Sequence, residues 1–413
     1  MKKHILLSLI LFLFVSFSYS QDSKKELYEI QKQISEKEAE IKKLNQKKEQ
    51  ILFKYIHKEL KEYGLPKLEN NEELIEHKAY MLVYSEQYEQ AKWVAHIIPT
   101  AIIDGNVGRT NNFRIDPLIK TGSSEEKDYF VKHKENGKMV YEGFGYDRGH
   151  LAPSADFKWS KTALSESFYY SNMSPQVGAF NRGAWAKLEG MMRHYVKENN
   201  SDLFIVTGPI LNDNLPKIEK GVNKVSIPKY YFKIAYDSKN SRAIAFIMPN
   251  KENEYPIEYY AVSIDSVEKL TNIDFFYNLN DSIENIIESQ SNYKPFLPKK
   301  SKNDVAPLKI LPKNCYNTIQ AYSQINSNKK IKVCGTVVST HKSKKGNIFI
   351  NLDKSYPNQI FSITIWASDV LNFSYNPVKE LIGKKICVTG KLTKYKGIMG
   401  MYIDNEKLIK YLK

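Results

Sequence analysis

A stretch containing three prolines and three lysines, residues 295–307, divides this 413-residue chain into two parts of very different charge. Residues 1–298 hold 40 basic and 40 acidic side chains, whereas residues 299–413 hold 21 Lys, no Arg and six acidic residues. The whole net charge of +15 therefore lies in the C-terminal part of the chain. Because its prolines and small polar residues disfavour regular structure, we interpret residues 295–307 as a linker between folded domains.

The composition indicates several folded domains and excludes other classes of protein. The chain is too long for one ordinary domain, and 42% hydrophobic with 12% aromatic residues is enough to form hydrophobic cores. Three cysteines do not make a disulfide scaffold, and the sequence has no CxxC or HExxH motif that would indicate a zinc site. The basic C-terminal part is expected to attract polyanions, although lysine-rich surfaces also simply keep proteins soluble.

The first twenty residues have the three-part pattern of a secretory signal peptide. A basic start precedes an apolar run from Ile5 to Phe17, and the small residues Ser18 and Ser20 come just before Gln21. The run of 13 residues is shorter than the roughly 20 needed to span a bilayer. We therefore expect an exported protein, periplasmic or secreted, with no membrane contact after cleavage; an uncleaved anchor is the alternative.

Residues 21–64 are predicted to form one amphipathic helix. They contain no Gly or Pro before Gly64, Pro66 follows, and apolar residues recur at spacings of three, four or seven. Lys37 and Lys48 interrupt this stripe, so two interpretations stay equal: a short coiled coil that makes a homodimer, or a helix packed on its own domain. The apolar stripe consists of Leu27, Ile30, Ile34, Ile41, Leu44 and Ile51.

Apolar runs in the middle of the chain are typical of strands interleaved with helices, which predicts an α+β domain over residues 65–294. Two clusters of polar residues lie between these runs. The strands are expected at residues 79–84, 93–98, 203–208, 231–236 and 243–248.

The first polar cluster is the run Asp147-Arg148-Gly149-His150. Side chains alternate along an extended strand, so Arg148 and His150 would project to the same side. A histidine can accept a proton from water near neutral pH, and an arginine can hold a phosphate through two hydrogen bonds. Together they suit attack of water on a phosphodiester, although a lone His beside an Arg is more often a structural residue.

The second polar cluster contains Asn172, Asn181, Glu189 and Arg193. Apolar residues at helical spacing predict a helix from about residue 183, with Asn181 at its start. Amide and carboxylate oxygens are ligands that suit Mg²⁺. The alternatives are a helix N-cap for Asn181 and a surface ion pair between Glu189 and Arg193, which lie four residues apart.

With these two clusters the chain resembles the DNA/RNA non-specific endonucleases, the sugar-non-specific nucleases that include mitochondrial endonuclease G. The resemblance covers roughly residues 78–279. It implies a ββα-metal nuclease core that cuts DNA and RNA with one Mg²⁺, for which Mn²⁺ is an alternative. It rests on the run 147–150, on the run 172–176, and on Asn181, Trp185, Leu188, Glu189 and Arg193 at the family's spacing.

The same resemblance implies a role for each polar side chain around the metal. His150 is the general base that activates water, and Asn181 is the direct protein ligand of the metal. Glu189 orients the metal-bound waters, while Asn172 supports the site.

Three arginines are assigned to the phosphate. The resemblance gives this role to Arg148 and Arg193. The family also places an Arg shortly before an aromatic-x-x-Asp run, which is matched here by residues 113–116, but the expected position holds Asn. We assign Arg109, the nearest upstream cation, and leave out Arg114, the nearest downstream one.

Residues 308–413 are predicted to form a small closed barrel, because five short apolar strands follow one another. The pattern resembles the OB-fold nucleic-acid-binding family, a fold that also binds sugars and proteins. The positive charge and the aromatic residues favour nucleic acid, through phosphate attraction and base stacking. The strands are expected at residues 332–338, 348–352, 361–366, 385–392 and 401–403.

Two of the three cysteines, Cys334 and Cys387, fall on the first and fourth strands of this predicted barrel. These two strands are neighbours in an OB fold. A disulfide between the two residues and a pair of buried free thiols are both compatible with that placement.

Two functions from different classes follow. The first is an exported Mg²⁺-dependent endonuclease with DNA and RNA as substrates. The second is a non-catalytic exported nucleic-acid-binding protein. The joint presence of His150, Asn181 and Glu189 favours the enzyme, because binding alone needs no base beside a metal ligand.

Overall fold

The computed structural model describes residues 2–412 apart from 253–254, 300, 328 and 396–397, with the backbone alone at 2–23, 104 and 326. Of the predicted signal peptide, residues 1–20, the structure describes only the helical backbone of residues 2–20. Two compact units make up the chain, Met1–Lys58 and Glu59–Lys413. Within the described part of the chain, no helix is both long and apolar enough to cross a bilayer.

The first unit is a helix, α1 (Lys2–Glu59). The predicted apolar stripe lies on it, and its side chains are 49–68% exposed in the single chain. Such a stripe normally faces a hydrophobic partner, so its exposure leaves apolar surface in contact with water. After α1, the chain turns through a π-helical segment, Leu60–Gly64, and becomes extended at Leu65.

An antiparallel sheet forms the centre of the N-terminal part of the second unit. Its order is β1-β2-β3-β8-β9-β10-β11, and the five strands predicted in this region correspond to β2, β3, β8, β9 and β10. These strands are almost wholly buried, because helices and loops cover both faces of the sheet. The strands are β1 (Leu74–Glu76), β2 (Tyr80–Ser85), β3 (Gln90–Ile98), β4 (Phe130–Glu135), β5 (Lys138–Gly143), β6 (Tyr146–His150), β7 (Met173–Val177), β8 (Leu203–Pro209), β9 (Tyr230–Asp237), β10 (Arg242–Pro249) and β11 (Ala261–Val262).

Two short hairpin-like pairs accompany the sheet, β4 with β5 and β6 with β7. The β4–β5 pair is mostly exposed and turns at Asn136-Gly137, where both residues have positive φ. That conformation is the tight hairpin turn for which Asn-Gly is the preferred sequence. The β6–β7 pair is more buried and carries the first polar cluster.

The helices of this part are short and lie beside the sheet. They are α2 (Lys161–Glu166), α3 (Gly178–Phe180), α4 (Ala186–Asn199), α5 (Ile264–Thr271) and α6 (Asp281–Glu288). The helix predicted from about residue 183 begins three residues later, at Ala186. Gly183 has a non-helical backbone (φ −99°, ψ −112°), so a π-helical turn, Asn181–Trp185, precedes the regular helix. Together with the sheet, these helices make a mixed α/β fold.

A closed five-stranded barrel forms the C-terminal part of the second unit. Its strands run in the order β13-β14-β15-β17-β16, and β16 pairs back to β13, which closes the barrel as predicted. Apolar side chains from all five strands fill its interior. The elements are β12 (Tyr316–Asn317), β13 (Lys330–Lys342), β14 (Ile348–Leu352), β15 (Phe361–Ile365), α7 (Pro377–Glu380), β16 (Lys385–Tyr395), β17 (Ile398–Tyr402) and β18 (Ile409–Tyr411).

The closing pair of strands decides the state of two cysteines. Cys334 on β13 lies directly opposite Cys387 on β16, and the two form a disulfide. Of the two states that the sequence left open, the structure therefore has the disulfide. Cys315 is a free thiol.

The predicted linker, residues 295–307, packs against both parts of the second unit. The ring of Phe296 is buried and stacks on Tyr195 of α4, with centroids 4.7 Å apart. Further along, the Val305 amide donates to the Asp353 carbonyl of the barrel at 2.9 Å. The segment therefore fixes the barrel beside α4.

Three carboxyl groups meet between α5 and α6, with oxygens of Asp265, Glu268 and Glu288 within 4.8 Å of one another. Glu288 is only 8% exposed. Burial, followed by the charges of Glu268 and Glu284, raises the pKa of Glu288 from 4.5 to about 8. Glu288 is therefore protonated in the folded protein at neutral pH.

We expect Glu288→Gln to stabilise the protein increasingly as the pH rises from 5 to 8. The folded state binds a proton that the unfolded state has already released, so wild-type stability falls through this window by at most about 1.4 kcal/mol per pH unit. Glutamine mimics the protonated acid at every pH. Thermal unfolding at pH 5, 6, 7 and 8 measures the difference in Tm, and a difference that does not change with pH would contradict this assignment.

Candidate active site

Pairing of β6 with β7 places the first polar cluster at the edge of an open cleft. The two strands are antiparallel, with Asp147 opposite Gln176 and His150 opposite Met173. Arg148 and His150 both line the cleft, as an extended strand requires. The cleft has a volume of about 800 Å³.

His150 lies at the buried end of β6, between aromatic rings. Its ring packs edge-on against Phe168, with centroids 5.0 Å apart, and is tilted against Phe113 at 5.8 Å. Burial, reinforced by the positive charges of Arg109 and Arg148, lowers the pKa of His150 from 6.5 to about 3. The imidazole is therefore neutral near pH 7 and able to accept a proton. Its Nε2 is buried and finds no hydrogen-bond partner among the described residues.

Two arginines reach the cleft on aromatic supports. The guanidinium of Arg148 lies 3.7 Å from the centroid of Phe113, and that of Arg109 lies 5.0 Å from Phe168. The carboxylate near Arg148 is Glu126, at 3.9 Å. Because aromatic rings hold a cation without cancelling its charge, both arginines keep their positive charge for an anionic ligand.

Asn181 faces the same cleft from the π-helical turn that precedes α4. Its amide nitrogen donates to Asp147 Oδ2 at 2.9 Å, and Arg182 binds the same carboxylate at 2.6 Å. The side chain of Asn181 does not cap a helix, so the N-cap alternative is wrong. Because Asp147 fixes the amide nitrogen, the amide oxygen is the atom that Asn181 can offer to a ligand.

Helix α4 contributes Glu189 and Arg193 to the cleft. Arg193 donates to the buried Asp156 at 2.6 Å, and the second oxygen of Asp156 meets His96 Nε2 at 2.9 Å. Burial alone would raise the pKa of Asp156, but Arg193 and His96 outweigh it and lower that pKa. The charge of Arg193 is therefore partly neutralised within the protein, in contrast to the arginines on the aromatic rings.

Asn172 takes a position behind the cleft. It is fully buried, and its amide group bonds backbone atoms only. Its Oδ1 accepts from the Ala152 amide at 2.9 Å, and its Nδ2 donates to the carbonyls of Ala152 and Ser167 at 2.9 and 2.8 Å. Asn172 thus fixes the chain that leaves His150 and acts as a positioning residue.

The structure brings the predicted site residues to one cleft, except Asn172, which lies behind it. Arg114, which the prediction left out, does not line the cleft. The guanidinium of Arg114 instead covers Tyr169 at 3.9 Å and donates to the Ser165 carbonyl. The cleft contains His150, Arg148, Arg109, Asn181, Glu189 and Arg193.

Sequence reasoning did not assign roles to Asp147 and Asp156. Asp147 was visible as the first residue of the first cluster, but its partners lie more than thirty residues away. Asp156 carried no local signal, since it contacts His96 and Arg193 from separate elements.

The donor set of the cleft fits a hard divalent cation such as Mg²⁺. The amide oxygen of Asn181 is left to accept by the hydrogen bond that its nitrogen makes, and the carboxylate of Glu189 lines the same cleft. Oxygen donors, few in number and open to water, are what Mg²⁺ prefers.

Comparison with known proteins gives the class to which this cleft belongs. A model of the DNA/RNA non-specific endonuclease family matches residues 57–282. A nuclease of Nostoc sp. is 36% identical over 223 residues, 51% of this chain and 76% of the relative. The mitochondrial nuclease of Saccharomyces cerevisiae is 33% identical over 250 residues, 53% and 70% of the two chains. Human mitochondrial endonuclease G is 29% identical over 237 residues, 54% and 74%.

The chain belongs to the DNA/RNA non-specific endonuclease family. The match spans more than half of the chain and includes every residue of the cleft. Because the family and the relatives are nucleases, the chain is an endonuclease, and the alternative of a non-catalytic binding protein is wrong.

We expect Asn172→Ala to lower the free energy of unfolding by about 2–4 kcal/mol, because buried polar groups of Ala152 and Ser167 lose their partner. Urea denaturation followed by circular dichroism measures this change. Asn285→Ala, at an exposed helical position, is the control and should cost much less. An equal loss of unfolding free energy in the two variants would contradict the role of Asn172 as a positioning residue.

Proposed function

We propose that this chain is an exported, Mg²⁺-dependent endonuclease that hydrolyses phosphodiester bonds of both DNA and RNA. The observation that carries the proposal is a neutral, buried His150 in the same cleft as Arg109 and Arg148, which rest on aromatic rings, and a set of oxygen donors. The nuclease part corresponds to the ββα-metal class, with β6, β7 and the α4 region as its two strands and helix.

His150 is the general base in this proposal. A pKa of about 3 keeps its imidazole unprotonated at any pH near neutrality, so a ring nitrogen can take a proton from the attacking water. The rings of Phe113 and Phe168 hold the imidazole in place and exclude bulk water around it. Asn172 supports that geometry from behind by fixing the backbone at Ala152.

Arg109 and Arg148 bind the scissile phosphate and stabilise the charge that develops on it. Their guanidinium groups are planar and can make two parallel hydrogen bonds to phosphate oxygens. Arg193 lies deeper, on Asp156, and contributes a weaker field. These contacts reach the phosphate and not a base edge, which accounts for activity without sequence or sugar specificity.

Asn181 would hold Mg²⁺, or Mn²⁺ in its place, and Glu189 would orient the waters of the bound metal. When bound, the metal supplies positive charge at the phosphate and a polarised water. Asp147 acts through Asn181, because it accepts the hydrogen bond that orients the amide.

The remaining parts of the chain fit an exported nuclease with a second binding domain. The barrel, with a net charge of +15 over residues 299–413, is an OB fold that attracts nucleic acid. The N-terminal pattern directs export to the periplasm or beyond the cell. The exposed apolar stripe of α1 joins two copies of the chain in a coiled coil. We prefer the coiled coil to a helix packed on its own domain, because the stripe is not buried in the single chain.

His150→Ala tests the base. We expect cleavage of plasmid DNA and of RNA in Mg²⁺ to fall by at least about 100-fold, in the range typical of a lost general base. EDTA should abolish wild-type cleavage, and gel-shift binding should persist in the variant. His133→Ala, on the exposed β4–β5 hairpin, is the matched control and should cleave as wild type does. Wild-type-like cleavage by His150→Ala would remove this residue from the role of base.

Asp147→Ala tests the orientation of Asn181. We expect the Mg²⁺ concentration for half-maximal cleavage to rise by about 10-fold or more, as for loss of a residue that supports a metal ligand. Arg182→Ala keeps the bond between Asp147 and Asn181 and should change this concentration little. If both variants, or neither, require more Mg²⁺, the proposed action of Asp147 through Asn181 is wrong.

A further inference from the structure

Helices α5 and α6 bring three carboxyl groups together at a place outside the catalytic cleft. Asp265 and Glu268 are three residues apart on α5 and therefore lie on one side of that helix. Glu288 is the last residue of α6. One oxygen of each carboxyl group lies within 4.8 Å of the other two. Because Ca–O distances are about 2.3–2.6 Å, one ion can reach all three oxygens at this spacing.

Glu288 is the buried member of this cluster, and one of its oxygens is not satisfied by the protein. The residue is 8% exposed, and its Oε1 finds no hydrogen-bond partner among the described residues. A buried polar atom without a partner is rare in folded proteins and indicates a ligand or a water molecule. The neighbouring carboxylates do not provide the partner, because an ionised carboxylate only accepts hydrogen bonds. A cation satisfies all three groups together.

Negative charge extends beyond these three carboxyl groups. Glu284 and Asp274 also act electrostatically on Glu288. Lys67 offsets part of this charge at the surface, where its Nζ lies 3.3 Å from Asp274 Oδ2. In cation-free buffer Glu288 keeps a proton, which is the neutral state described above. A divalent cation replaces that proton and lets the three carboxyl groups ionise together.

Calcium is the cation that suits this cluster. Its ligands are carboxylate oxygens, which are hard, whereas Zn²⁺ and Cu²⁺ prefer imidazole or thiolate. Mg²⁺ requires nearly octahedral geometry and usually takes one or two carboxylates, while Ca²⁺ accepts several carboxylates in flexible geometry. Asp265 is exposed, so water can complete the coordination of the ion.

We propose that Asp265, Glu268 and Glu288 bind one Ca²⁺ ion that joins α5 to α6 and stabilises the folded protein. The chain just after α6 is fixed to the central sheet, since Gln290 Oε1 accepts from the Ala243 amide of β10 at 3.0 Å. The ion therefore ties α5 to a helix that the sheet already holds. None of the three ligands lines the catalytic cleft, so the site is independent of the proposed nuclease function.

The first measurement is thermal unfolding of the full-length protein at pH 7, in EDTA and in about 10 mM CaCl₂, which exceeds the Kd of about 0.1–1 mM typical of extracellular Ca²⁺ sites. We expect Ca²⁺ to raise the wild-type Tm by about 3 °C or more, because the ion binds the folded state. Glu268→Gln and Glu288→Gln should each lose most of this rise. Glu135→Gln, on the exposed β4–β5 hairpin, is the matched control and should keep it.

The same measurement shows that the variant is folded. In EDTA, glutamine at position 288 mimics the protonated acid, so the Tm of Glu288→Gln should equal or exceed that of wild type. Wild type should gain over this variant only when Ca²⁺ is added. No rise in the wild-type Tm, or an equal rise in Glu288→Gln, would overturn the proposal. An equal rise with MgCl₂ in place of CaCl₂ would overturn the assignment to calcium.

A second set of variants separates this site from the catalytic cleft, whose oxygen donors are also hard ligands. Asn181→Ala removes the proposed metal ligand of the cleft and should keep the rise in Tm with Ca²⁺. Adding Glu288→Gln to Asn181→Ala should abolish that rise. If the rise disappears in Asn181→Ala and persists in Glu288→Gln, the ion binds in the cleft and the proposal is wrong.

Hydrogen–deuterium exchange followed by mass spectrometry locates the bound ion in the chain. We expect Ca²⁺ to slow amide exchange in peptides that cover α5 and α6 of wild type, and to have no such effect in Glu288→Gln. Slower exchange confined to peptides of the catalytic cleft, residues 172–193, would overturn the placement of the ion between these two helices.

Discussion

The antiparallel pairing of β6 with β7 is the constraint on which the catalytic cleft depends. This register sets His150 at the buried end of β6 and Asp147 at the open end, where it meets Asn181. Gly149 permits the pairing, because a Cβ there would come within 2.2 Å of the Gln176 side chain. Asn172, immediately before β7, fixes the chain after His150 through the backbone of the next turn. A shift of one residue would turn the base away from the cleft.

The distribution of charge follows from how each arginine is supported. Arg109 and Arg148 rest on aromatic rings. Burial, reinforced by the charges of these two arginines, lowers the pKa of the nearby His150 and keeps its imidazole neutral. Arg193 is bound to a buried carboxylate, which His96 also stabilises. The cleft thus combines a neutral base with two arginines that can bind an anion. If carboxylates rather than aromatic rings held these arginines, their positive charge would be neutralised within the protein.

Much of the fold was predictable from local patterns. The buried strands β2, β3, β8, β9 and β10 are continuous apolar runs, and the five barrel strands show the same signal. The pair β4–β5 escaped prediction because exposed strands need no apolar pattern, and only Asn136-Gly137 marked their turn. The late start of α4 reflects the backbone of Gly183, which hydrophobic periodicity does not report.

The sequence by itself determined the partition of charge, the chemistry of the two polar clusters and membership of the nuclease family. Those properties depend on residue types and short spacings, which the linear chain contains. Only the tertiary structure decided that Arg109 rather than Arg114 lines the cleft, that Asp147 orients Asn181, and that Cys334 and Cys387 are joined. These contacts join residues from separate elements, and their distances depend on packing and strand register, which no local pattern encodes.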